Sequence, residues 1–245
     1  VVVYYLPMMR AQSTGTDIAQ ERLLVSVAEQ LKVPLTQIAR RAELAESGVL
    51  PVDSRAVRTE ATAALALVDS YLLGLELLTS QESLELEPVS VSSLLTDVAH
   101  QLQPYAKHYN VALEMTLAGK YGPVMAHRAA LKSALLSLGH TLIVAGGAKE
   151  TPQDRRVILA GHKNAQGIAA GLYGSLDVEP ADLRVALSLQ GAARQPLASL
   201  HDSGAGIFVA DALAQAMESR LRIGRHNRYA GLAMTLRPSQ QLQFI

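Results

Sequence analysis

The sequence predicts an α+β protein: an N-terminal antiparallel helical hairpin, followed by an α/β sandwich of helices on a mostly antiparallel sheet. Three observations carry this. Two successive stretches repeat apolar residues at spacings of four and three, the seam of paired helices. From about residue 86 the pattern changes to short apolar runs separated by turn residues. Hydrophobic residues make up 49% of the 245-residue chain, yet aromatics only 4% and Trp is absent, so Leu, Ala and Val must build the interior.

The first helix is expected over residues 17–47, with Asp17 and Gln20 as an N-cap pair and Gly48 as the stop. Its seam runs through Leu24, Ala28, Leu31, Leu35, Ile38, Ala42 and Ala45. The second helix begins near Ser54, after a turn at Pro51, and its seam is Val57, Ala61, Ala64, Val68, Tyr71, Leu75 and Leu78. A lone hairpin hides only part of this apolar surface. A second copy would cover the rest in a four-helix bundle, so a homodimer is expected, with packing onto the chain's own remainder as the plainer alternative.

Beyond the hairpin, ELEPVSV reads as a short strand leading to a helix at 91–107. VALEMTLA and PVMA read as strands, and 128–144 as a leucine-rich helix. RRVILAGH, GIAAGLYG and LRVALSL follow as strands, the last with a helical alternative. ADALAQAMESRL reads as a helix, and a closing hairpin runs from GLAMTLRP into QLQFI. The expected divisions are an N-terminal segment (1–16), a dimerisation hairpin (17–80) and the sandwich (81–245).

Composition excludes several functions. Lys+Arg and Asp+Glu balance at 22 each, which leaves no basic footprint for nucleic acid. With no Cys there is no disulfide, thiolate metal site or Cys nucleophile. No apolar run reaches the ~18 residues of a membrane span. The opening VVVYYLPMM is interrupted by Pro7 and lacks a basic start, unlike a signal peptide, so a cytoplasmic location is expected. The seven histidines include no pair at the i, i+4 spacing of a zinc helix, and no metal site is expected. RLRIGRHNR, residues 220–228, reads as a solvated strand edge.

The run AEQLKVPLTQI, Ala28 to Ile38, is similar to the phosphoacceptor box of bacterial sensor histidine kinases, whose usual form is close to S-H-E-L-R-T-P-L-T-x-I. VMAHRAALKSALLSLGHTLI is similar to their asparagine box, and VEPADL to the tail of their first glycine box. The order of elements over residues 17–245 resembles the catalytic core of that family, a dimerising hairpin followed by an ATP-binding domain. The resemblance accounts for Pro34, because the family tolerates a kinked helix after its histidine.

Carried over position by position, the resemblance implies lost chemistry. The phosphoacceptor histidine falls on Glu29, whose carboxylate cannot replace a neutral imidazole nucleophile. The acidic neighbour falls on Gln30, and the Thr or Asn that assists dephosphorylation on Val33. The two box asparagines fall on Ser137 and Thr141, the latter a weaker ligand for Mg²⁺, and the Asp that opens the box on His127. The Asp that bonds adenine falls on Tyr173, and its glycines on Ser175 and Asp177. In HDSGAGIF, Asp202, Gly204 and Gly206 literally satisfy D-x-G-x-G. A helix follows at once with too little chain behind it, so the second glycine box fits better, with Gly204 and Gly206 kept and Phe208 in place of the third glycine. A tight turn opening a helix explains the same residues without any ligand.

The resemblance therefore implies a degenerate, pseudokinase-like member with no cofactor. It would act as a dimeric scaffold or regulator that docks a response regulator receiver domain or a partner histidine kinase. The alternative is an active kinase or phosphotransfer protein that uses a histidine outside the box, such as His100, with Mg–ATP as cofactor. A third reading has the former nucleotide pocket binding another small ligand. Glu29 reads either as a mimic of the phosphorylated state or as a plain exposed helix residue.

Overall fold

The structure is a computed structural model and describes residues 24, 28, 31–49, 51, 53–79, 84–117, 119–174 and 205–239. The expected strand LRVALSL, the terminal QLQFI and the segment 1–16 lie outside the described residues.

Helix α1 covers residues 31–46 and runs unbroken through the buried Pro34. It stops where the sequence places the stop. Gly48 adopts φ +71°, Val49 N–H donates to Leu44 O and Gly48 N–H to Ala45 O, both at 3.1 Å. Helix α2 (Ser54–Thr79) is opened by Asp53, whose carboxylate accepts from Ala56 N–H at 3.0 Å. Arg41 of α1 and Glu60 of α2 lie almost equally far from the connecting turn and meet at one imidazole, that of His108, as two antiparallel helices require.

The chain then forms β1 (Glu87–Val89), α3 (Val91–His108), β2 (Ala112–Leu117), β3 (Val124–Ala126) and α4 (Arg128–Gly147). β4 (Arg156–Asn164), β5 (Gly167–Gly174), α5 (Ala205–Ala216), β6 (Leu221–His226) and β7 (Tyr229–Leu236) follow. Five strands make one sheet in the order β2-β4-β5-β7-β6, with β2–β4 its parallel pair. β1 and β3 pair separately. Strand alternation sends Val157, Leu159, Ile168, Ala170, Leu172, Leu232, Met234 and Leu236 to the face covered by helices. The other face carries a smaller cluster of Ile158, Ala160, Tyr173, Tyr229 and Ala233.

Helix α4 packs against α3, α5, α2, β4 and β5, and is buried nearly all round. Among the described residues it is the one helix long and apolar enough to cross a membrane, with 78% of its apolar window buried inside the fold.

β6 and β7 form a hairpin turned at Asn227, which takes φ +54°, and the pairing expected of GLAMTLRP with QLQFI lies outside the described residues. One sequence expectation changes. In α2 the buried residues are Ala56, Glu60, Ala63, Ala64, Leu67, Ser70 and Gly74; Ala64 belongs to the expected seam, and the others stand one residue back from it. The small residues let α2 lie close on α4 and α5, while Val57, Val68, Tyr71 and Leu75 flank that contact half-buried.

Candidate functional site

Helix α4 and its cap carry the residues expected at the asparagine-box positions. His127 caps the helix, its Nδ1 accepting from Ala130 N–H at 3.2 Å, so the residue expected in place of the box's Asp holds up a helix end. About three and four turns on, Ser137 and Thr141 are 0% and 1% exposed. Thr141 Oγ1 donates to the Ser137 carbonyl at 3.0 Å, which turns that hydroxyl back into its own helix. Ser137 Oγ has no hydrogen-bond partner. Between them His140 stands edge-on to Tyr105, ring centroids 4.8 Å apart. Burial holds the His140 imidazole down at about 4, so it is neutral at pH 7.

Tyr173 is on the other side of the sheet. Its side chain belongs to the smaller cluster, whereas α4 covers the opposite face, so Tyr173 does not share a site with Ser137 and Thr141. Its ring lies across Gly231 and Gly224, the glycines beside it on β7 and β6. A Cβ on Gly231 would come within 2.8 Å of Tyr173 Cδ1. The His226 and His162 rings are 5.5 and 6.5 Å away. The Tyr173 hydroxyl is buried without a partner, and burial pushes it up to about 12.

Gly206 and Phe208 stand in the first turn of α5, Gly206 buried and Phe208 half-buried. Gly204, Asp202, Ser175 and Asp177 lie outside the described residues, as do Glu29 and Gln30. Val33 is half-buried on α1. The structure thus brings Ser137 and Thr141 together on α4 and places Tyr173 apart.

Sequence reasoning did not find the polar cluster where the hairpin meets the sandwich. Glu60 of α2 is 0% exposed, with Oε1 2.9 Å from Nε2 of His108 at the end of α3. Arg41 Nη2 approaches the same nitrogen at 3.2 Å. Burial pushes Glu60 up to about 7, against the opposing pull of Tyr109 and Arg41. His108 is held down by burial and by Arg41. The Tyr109 phenol is pushed up to about 12 by burial and by the charge of Glu60. The available signal was the register of Glu60 with Ala56, Ala63 and Leu67, which puts a carboxylate on an otherwise small and apolar stripe.

No protein-family model matches the chain, and neither does any curated protein. Solved structures do. The Acinetobacter baumannii histidine kinase AdeS is 14% identical over 85% of this chain and 96% of that one, with a TM-score of 0.50. The histidine kinase ThkA, solved with the response regulator protein TrrA, is 12% identical over 98% of this chain and 67% of that one, at 0.56. Full-length ShkA, solved with AMPPNP, is 18% identical over 89% of this chain, at 0.53; the match spans 46% of that chain.

The chain folds as a histidine kinase catalytic core. At these identities the likeness speaks of the fold. Ser137 and Thr141, the residues expected at the asparagine-box positions, both lie buried on α4.

Proposed function

We propose that the chain is a two-component signalling protein that uses the histidine kinase fold without autokinase activity or ATP binding. It acts as a dimeric scaffold or regulator that docks a response regulator receiver or a partner kinase. The observation that carries this reading is the state of Ser137 and Thr141. Both are buried, and the Thr141 hydroxyl is spent on the Ser137 carbonyl, so neither position offers a carboxamide oxygen to a hard cation. The displacement of Tyr173 to the far face of the sheet supports the same reading, because it supplies no adenine partner beside α4. Dimerisation is supported by Leu24 and Leu35 on the first helix, each 54% exposed, and by Leu65 and Leu72 on α2, 65% and 55% exposed, which a second copy would cover. The receiver as partner is supported by the solved pairing of ThkA with TrrA.

Calorimetry with Mg–ATP, alongside a thermal-shift measurement, tests the reading. A ligand at a hundred times its Kd stabilises a fold by about 2.7 kcal/mol. The expected result is no saturable heat and no shift, whereas clear binding would sink the nucleotide-free scaffold.

A further inference from the structure

A cleft of about 840 Å³ opens where α2 meets α3 and α4. Its apolar wall includes Ala63, Leu136 and the ring of Tyr105. Its rim carries Arg55 and Arg58 from α2 and Lys107 from α3, all exposed and none in an ion pair among the described residues. The one carboxylate in the lining, Asp53, is already engaged as the N-cap of α2. On the α4 side the cleft is lined by His140, which is 7% exposed and whose Nδ1 is buried without a hydrogen-bond partner. Ser137 and Thr141 take no part in the lining, so this is not the nucleotide region discussed above.

Each feature points to the same kind of guest. An apolar and aromatic wall takes a ring, and cations at the rim that pair with no described carboxylate take an anionic group. We propose that this cleft binds a small aromatic anion bearing a phosphate or a carboxylate. The ring lies against Tyr105 and Leu136 beside His140, and the charged group sits among Arg55, Arg58 and Lys107. Such a ligand touches α2, α3 and α4 at once and favours the hairpin seated on the sandwich.

Titration of the full chain with phenyl phosphate, benzoate and benzyl alcohol, followed by calorimetry and by the His140 ring signals in NMR, tests this. One of the two anions is expected to give a saturable heat and a matching shift of the His140 signals, and the better of them identifies the charged group. Benzyl alcohol is expected to bind at least roughly tenfold more weakly, because it lacks the charge. The Arg55→Glu/Arg58→Glu variant, altered only at exposed side chains, should keep its melting temperature and lose roughly tenfold or more in anion affinity. The proposal is overturned by the absence of a saturable His140 shift with either anion, by equal binding of the alcohol, or by unchanged affinity in the charge-reversed variant.

Discussion

Leu102 of α3 seats its side chain directly on Gly139 of α4. A Cβ at position 139 would press into Leu102 Cδ1 and come within 2.9 Å of Cδ2, and Leu102 is 0% exposed with no room to withdraw. In an exposed helix Gly→Ala gains about 1 kcal/mol from propensity. Here overpacking, typically about 1–3 kcal/mol, opposes that gain. Gly139→Ala is therefore expected to destabilise the protein in urea denaturation. Leu102→Ala should lose about 2–5 kcal/mol through the cavity it leaves. The double variant should lose less than the sum, because the new methyl enters that cavity.

Glu60 predicts a pH dependence of definite sign. Its proton is held more tightly in the fold, at about 7, than at the ordinary 4.5. Its stabilising effect is complete below 4.5 and is lost as pH rises through 7. His108, held below its ordinary 6.5, runs the other way and favours the fold at higher pH. Comparing two proteins isolates Glu60 from that opposing trend. Glu60→Gln should change little at pH 5 and exceed the parent at pH 8 by on the order of 1–2 kcal/mol in chemical denaturation, allowing for water reaching the junction. An equal gap at both pH values would count against it.

His140 sets an acid limit. Its folded value of about 4 lies below the ordinary 6.5, so the stability it contributes is present above 6.5 and is lost as pH falls toward 4. The loss is on the order of 3 kcal/mol. Its ring resonances should keep neutral positions down to about pH 5, well below an exposed histidine. Titration of His140 near its ordinary value would disprove this.

The exposed leucines of α2 predict the assembly. Leu65 and Leu72 lie two turns apart on one face and are 65% and 55% exposed. The parent protein is expected to sediment as a dimer, and Leu65→Glu/Leu72→Glu as a folded monomer with unchanged far-UV circular dichroism.

Much of the fold was legible because its punctuation is local. Ser90 accepts from Ser93 N–H at the start of α3, Gly48 ends α1, and the apolar runs of RRVILAGH and GIAAGLYG, set between turn residues, mark β4 and β5. Three features were not legible, each for a physical reason. Both faces of β5 are apolar or small, so alternation alone could not tell that Tyr173 points away from the helices. The seam of α2 was read from its four-and-three spacing alone, whereas packing on α4 and α5 buries Ala64 of that seam together with residues one position back from the rest. Glu60 looks like an ordinary surface acid until Arg41 and His108 are brought to it from α1 and α3.

Ala63 belongs to the main core of the sandwich although it stands on the hairpin's second helix, and Leu67, one turn further along, is also buried. The two halves therefore lack a dry boundary along which one can slide without exposing apolar surface. Heat should melt them in a single cooperative step, with no plateau at which a folded sandwich carries a loose hairpin. Any movement of the hairpin against the sandwich in this chain would begin by exposing Ala63 and Leu67.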